Sequence, residues 1–272
     1  MSEAIPLAEF DPDRSSMIDP RSHHMDSTKP AKADMPDAVV ACFFGDVVER
    51  IARDQGARLV TRLAAEHGEH PIYALERDGG CFGFYQAGLG APLAAGLMEE
   101  TIGYGVKVVV ACGGAGALDG ELALGHVVVV ASALRDEGTS FHYLAPSRCV
   151  EADAGVVSEL AGLLTARGVR HVAGRTWSTD AFYRETRGKV ARRRAEGCIT
   201  VEMEASALIA VARWRGVRFG QLLYAGDSLA AEEWDHRGWN KAHEVREQLF
   251  WLAADAALLV AAGASPEGAA KA

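Results

Sequence analysis

One short run places acids where an apolar strand gives way to a helix-forming segment. It reads VEMEASAL, residues 201–208, with Glu202 and Glu204 on either side of Met203. A carboxylate in such a place is costly to bury unless something partners it. When ionised it holds two acceptor oxygens in one plane, which matches two adjacent hydroxyls such as those of a ribose; Glu204 is the candidate for that contact. Met203 offers a polarisable apolar surface to a sugar face. Glu202 suits a supporting position, holding backbone or serving as an acid at a helix N-terminus.

Polar and glycine-rich groups recur at the ends of the other apolar runs. Gly45-Asp46 follows AVVACFF, with Arg50 one turn on, and GLGAP (88–92) follows CFGFYQA. CGGAGAL (112–118), which contains Gly113 and Gly114, follows KVVVA, and RDEGTSFHY (135–143) follows HVVVVASAL. STDAFYRET follows HVAGRTW, and Asp227-Ser228 follows QLLYAG. Ligands of open α/β sheets bind beyond the carboxyl ends of the strands, so the convergence outweighs any single member. Each member also has a plain structural role open to it. The glycine loops serve as turns, or cradle an anion with inward N–H groups. CGGAGALDGEL lacks GxGxxG and a following helix, so it is no dinucleotide fingerprint. Arg50 and Arg135 are anion contacts or surface cations, Asp227 an acid or a helix N-cap, and His142 a site residue or a structural histidine. Trp234 and Trp239, in LAAEEWDHRGWN, fit a lid, an interface anchor or core.

The elements that must position these groups alternate. AVVACFF is a strand before the helical DVVERIARDQGARLV. PIYALERDGGCFGFYQAGLG is a strand pair turning at Asp78-Gly79-Gly80, and APLAAGLMEETIGYG is a helix. VKVVVACGGAGAL is a strand running into a glycine loop, and HVVVVASAL is a fully apolar strand of the kind covered on both faces. Helix AGVVSELAGLLTARG, strand VRHVAGRTWSTD, strand CITVEM, helix EASALIAVARWRG, strand VRFGQLLYAGD and a long helix from Trp239 follow. This order predicts an α/β sandwich on a largely parallel sheet. Residues 1–36 read as a flexible arm, 37–263 as one domain and 264–272 as a disordered tail.

The 272 residues are 49% apolar and 24% charged, with a formal net charge of −9, which argues against a nucleic-acid partner. The five cysteines are scattered without a CxxC pair, which argues against a disulfide framework and a zinc site and fits a reducing cytosol. His23-His24 read as solvated, so no metal is expected. No apolar run reaches about 18 residues and no signal-peptide pattern stands at the start, so the chain reads as soluble and cytoplasmic with no membrane partner.

In order and spacing, from about Ala38 to Ala262, VEMEASAL, GELALGHVVVVASALRDEGTSFHYL, STDAFY and GLGAP resemble the purine nucleoside/uridine phosphorylase superfamily. The resemblance implies a single-domain, three-layer α/β sandwich whose central mixed sheet curls into a barrel, assembled as a homo-oligomer. It implies phosphate-dependent cleavage of a nucleoside to free base and ribose 1-phosphate, with inorganic phosphate as co-substrate and no cofactor. Met203 and Glu204 would then hold the ribose with Glu202 in support. Phe182, Gly114 and His142 would line the substrate, and Asp227 would be the acid near the base N7. Gly45, Arg50, Gly113 and Arg135 would meet phosphate. Two positions depart from the pattern: Ala111 stands where the family has a phosphate-gripping arginine, and Gly114 where it has a threonine. Asp227, and the absence of the insert with which uridine-type members read uracil, favour a purine. Hydrolysis on the same fold, which Ala111 motivates, and a non-catalytic nucleoside-binding protein are the other readings.

Overall fold

The computed structural model describes residues 5–20, 35–66 and 68–264. His23-His24 and the tail from residue 265 lie outside the described residues. The strands are β1 (Ala38–Cys42), β2 (Arg58–Ala65), β3 (Gly68–Arg77), β4 (Gly80–Gln86), β5 (Val108–Ala117), β6 (Val127–Asp136), β7 (Cys149–Glu151), β8 (His171–Thr179), β9 (Cys198–Glu202) and β10 (Arg218–Ser228). The helices are α1 (Gly45–Asp54), α2 (Ala91–Gly103), α3 (Ala154–Ala166), α4 (Arg187–Ala195), α5 (Ala205–Arg215) and α6 (His243–Ala264).

All ten strands form one sheet. Its path β10-β6-β8-β9-β5 closes on itself because β5 also pairs with β10, and β1, β4, β3 and β2 extend it beyond β5. Pairs of both senses occur: β1, β4, β5 and β10 run parallel, whereas β5–β9 and β6–β10 are antiparallel. The expected mixed, barrel-like sheet is therefore present. Closure gives β5 three partners, and it is this strand that carries Ala111 and the glycines.

Burial explains the two helical layers. In β6, Val127 to Val130 are all buried, as a strand covered on both faces requires. Alternate residues of the central strands feed two cores. One packs Ala94, Leu97 and Met98 of α2 with Leu208 and Val211 of α5; the other packs Val47, Val48 and Ile51 of α1 with α3 and with Phe250, Ala253 and Ala257 of α6. Small residues let α5 sit deep: every residue from Ala205 to Ala212 is buried.

Three local expectations are corrected. The helix after β1 stops at Asp54, and ARLV starts β2, because the chain reverses at Gln55-Gly56 and then pairs with β3. Gly113 and Gly114 lie inside β5, not in a loop, held by ladder pairing to Leu223 and Tyr224 of β10. The long C-terminal helix begins at His243, after a separate 3-10 turn at Trp239–Lys241. The basic run between β8 and β9 forms α4, begun by the Thr186 side chain on the Lys189 N–H. Residues 5–20 lay Phe10 and Arg14 against Trp214, near the end of α5, and Arg14 also donates to the Trp214 carbonyl at 3.0 Å. Among the described residues no helix is long and apolar enough to cross a membrane.

Candidate active site

Glu204 is the last residue before α5, and its side chain is buried. Oε1 accepts the Gly90 N–H at 2.6 Å and Oε2 the Met203 N–H at 3.3 Å. Gly90 holds φ 89°, a left-handed conformation that glycine adopts without strain, and this aims its N–H at the carboxylate from the loop opening α2. The two loops VEME and GLGAP, separated by more than a hundred residues, thus meet at one acid.

Glu202 supports that arrangement. Its Oε2 accepts the Glu204 and Ala205 N–H groups at 2.7 and 2.6 Å, satisfying donors left open at the helix start. Its Oε1 accepts from Ser178 Oγ at 2.6 Å, and that oxygen in turn accepts the Ser206 N–H at 2.9 Å. Ser178 stands opposite Glu202 in the β8–β9 ladder. Ser206 Oγ donates to Glu137 at 2.8 Å, and Glu137 also receives the hydroxyl and N–H of Ser140. Burial pushes both carboxyls above the ordinary range; for Glu204 the neighbouring Glu202 charge adds to it, and the donors of both residues pull partly back. Both carboxyls thus converge on the start of α5, where burial favours their protonated forms.

Asp227 lies near the end of β10. A side chain at Gly116 would come within 3.6 Å of Asp227 Oδ1, and Gly116 pairs with Val201 on β9, so the aspartate adjoins the strand that leads into Glu202. Oδ2 accepts the Trp234 indole N–H at 2.6 Å, although Trp234 is 61% exposed. The segment carrying that tryptophan folds back through paired backbone bonds between Ser228 and Asp235. Phe182 follows β8, 45% exposed and stacked on Tyr183 with centroids 4.1 Å apart. Met203 is half-buried between the two acids.

The four residues expected at phosphate are placed differently from one another. Gly45 opens α1 beside the Gln86 amide, and no described residue accepts the Gly45 or Asp46 N–H. Asp46 is held by Arg246 at 2.7 Å. Arg50 pairs with Glu247 at 2.8 Å on the half-exposed surface. Gly113 is covered by the Phe43 ring, 2.9 Å from where a β-carbon would stand, so only glycine fits there. Arg135 is buried, and four of its five N–H groups go to Ser140 Oγ, the Leu144 and Ala145 carbonyls and Ser147 Oγ. It also stacks on Phe141 at 4.1 Å, so its guanidinium is committed to holding residues 139–147. These partners leave one N–H of the Arg135 guanidinium without an acceptor among the described residues. Gly114 faces the Tyr224 ring, and His142 is exposed on the Thr139–His142 turn with no hydrogen bond among the described residues.

The sequence reading overlooked Glu137, Ser178 and Ser206. The signal was present, since Glu137 lies in RDEGTS and Ser178 in STD, yet only the fold directs them at one helix start. No cluster of three metal-ligating side chains occurs among the described residues.

With a closed mixed barrel, a paired-acid helix start and strand-end aspartate in place, the class follows: residues 37–262 match the phosphorylase superfamily, and the chain belongs to it. The chain is similar to guanosine phosphorylase of Halorubrum lacusprofundi, 31% identical over 171 residues that span 63% of this chain and 71% of that protein. It is 26% identical to uridine phosphorylase of Escherichia coli over 70% of this chain and 81% of that one. Among solved structures, uridine phosphorylase from Vibrio fischeri superimposes with a TM-score of 0.71 at 23% identity, covering 86% of this chain and 99% of that one. An AMP nucleosidase from Bacteroides thetaiotaomicron gives 0.70 at 21%, covering 85% and 91%.

Proposed function

We propose that this chain cleaves the N-glycosidic bond of a purine nucleoside by phosphorolysis, releasing the base and ribose 1-phosphate. The observation that carries the purine reading is the Trp234–Asp227 hydrogen bond. Asp227 accepts the five-membered-ring N–H of a fused bicyclic heteroaromatic, the geometry that a base protonated at N7 offers. Cleavage builds positive charge on the sugar and negative charge on the base. In this reading Asp227 supplies the N7 proton, making the base a better leaving group. Glu204 accepts the 2′ and 3′ hydroxyls, Met203 packs on the sugar, and Glu202 fixes both by holding the start of α5. Phe182 lines the base. Phosphate meets the free N–H groups at Gly45 and Asp46, where the α1 dipole favours an anion, with Arg50 released from Glu247. Trp234 then acts as a lid that the base displaces, and the protein works as a homo-oligomer in the cytoplasm.

Hydrolysis is the second reading, and Ala111 favours it together with the commitment of Arg135 to its loop and the cover of Phe43 over Gly113. A panel of nucleosides assayed with and without phosphate, with the sugar product identified, separates the two. Base release at equal rates without phosphate, or free ribose as product, overturns phosphorolysis.

A further inference from the structure

Phe44, which caps α1, has no side-chain acceptor for the first turn, and the Gly45 and Asp46 N–H groups are unpaired among the described residues. Two side chains from other elements reach this helix start against the Phe44 ring. The Arg246 guanidinium of α6 lies over it at 4.6 Å, and the Tyr224 ring of β10 stands 5.9 Å away, centroid to centroid. Arg246 is covered yet hardly used. Its side chain is 15% exposed, and Nη2 bonds Asp46 at 2.7 Å. Its Nε–H is buried without an acceptor, and Nη1 has no partner among the described residues. Arg135, by contrast, spends four N–H groups on its own loop, and Arg50 is paired with Glu247. Leaving covered donors without an acceptor is unfavourable unless a ligand supplies one.

Tyr224 is buried, and Gly114 on the paired strand makes room for it. A β-carbon at Gly114 would stand 3.1 Å from the ring and 3.5 Å from the hydroxyl. The hydroxyl donates to the Trp239 carbonyl at 3.3 Å, long for an O–H donor, so it is readily exchanged for a charged acceptor. Burial raises this hydroxyl above its ordinary range, Arg246 draws it back, and Asp227 and Asp46 add to the rise. Tyr224 thus adjoins both the proposed acid and the start of α1.

We infer that Arg246 and Tyr224 hold the phosphate at the start of α1, so that the grip comes from the C-terminal helix and β10, not from β5, where Ala111 stands. The inference rests on the phosphorolysis reading above and names the side chains of its anion site. Nη2 of Arg246 stays on Asp46 and neutralises that carboxylate, while its unused N–H groups meet phosphate oxygens. The Tyr224 hydroxyl and the Gly45 and Asp46 N–H groups supply the remaining donors. Because Asp227 also faces Tyr224, one residue links the anion to the acid that serves the base.

The test compares wild type with Arg246→Gln, Arg246→Lys and Tyr224→Phe, using the best nucleoside of the panel above. Initial rates are taken with phosphate varied and then with nucleoside varied, and binding of inorganic phosphate is measured by calorimetry. Arg246→Gln is expected to raise KM and Kd for phosphate about 10- to 100-fold, the size of one charge-assisted contact, with KM for the nucleoside unchanged. Tyr224→Phe raises them about 3- to 10-fold. Arg246→Lys keeps the charge without the planar fork and falls between wild type and Arg246→Gln. A purely structural role moves both substrates together, so equal losses for nucleoside and phosphate, or unchanged phosphate values, overturn the inference. If Arg246→Gln does not fold, the other two variants decide on the same readings. If wild type releases no base, Kd for phosphate decides alone. A wild type that releases base equally fast without phosphate overturns the phosphorolysis reading and this inference with it. A phosphate-dependent wild type matched by its variants overturns the inference alone.

Discussion

Replacing Glu204 by Gln removes one buried charge and keeps the side-chain shape, so stability and activity move in opposite directions. The carboxyl is held above the ordinary value of 4.5 by burial and by Glu202. The folded chain therefore binds this proton more tightly than the unfolded one, and stability falls as pH rises from about 4.5 through the folded value. A glutamine avoids that loss and still accepts the Gly90 N–H through its carbonyl oxygen. Removing a buried charge in this way is worth about 1 kcal/mol or more, which for a chain of this size raises Tm by about 2–4 °C. The gain is full on the alkaline side of neutrality and absent at pH 4. The two proposed charge-assisted contacts to sugar hydroxyls are lost at the same time, at about 1.5–3 kcal/mol each, so kcat/KM falls by about 10²–10⁴. Scanning calorimetry from pH 4 to 9, run beside nucleoside kinetics, measures both effects. A variant less stable at pH 9 than wild type refutes the burial account, and unchanged kcat/KM refutes the sugar contact.

Asp227→Asn retains an acceptor for Trp234 but has no proton to give, so kcat on purine nucleosides falls at least about 100-fold; full activity sinks the acid role. Trp234→Phe removes the indole donor, and because that residue is largely exposed the contact is worth about 1 kcal/mol. KM for the nucleoside drops about 5-fold, and a raised KM instead assigns the ring to substrate binding. Arg135→Met leaves the Leu144 and Ala145 carbonyls and Ser140 without their donor at a cost of about 3 kcal/mol, lowering Tm by roughly 6–12 °C with KM for phosphate unchanged. A weaker phosphate KM at unchanged Tm restores Arg135 to the anion site.

What the sequence disclosed depended on whether a residue's meaning is local. Glu202 and Glu204 were legible because two acids at a strand end break the apolar pattern, and their helix-start position follows from the run after them. The two cores were legible from the β-branched runs. Closure of the barrel was not, since a third partner for β5 leaves no period of its own; it entered only as something the resemblance implied. Arg135 looked like any cation after a strand, and the carbonyls of Leu144 and Ala145 that claim it become neighbours only when residues 139–147 fold back.

The helix that follows Glu204 carries Trp214 in its last turn, and its eleven residues make a rod about 16 Å long. The proposed sugar clamp at one end and the grip of Phe10 and Arg14 at the other are thus mechanically joined through a rigid, almost wholly buried lever. Trimming the chain before Asp37 cuts that grip away. The choice of N-terminal boundary for expression thereby becomes a kinetic variable, to be read first in the affinity for the sugar.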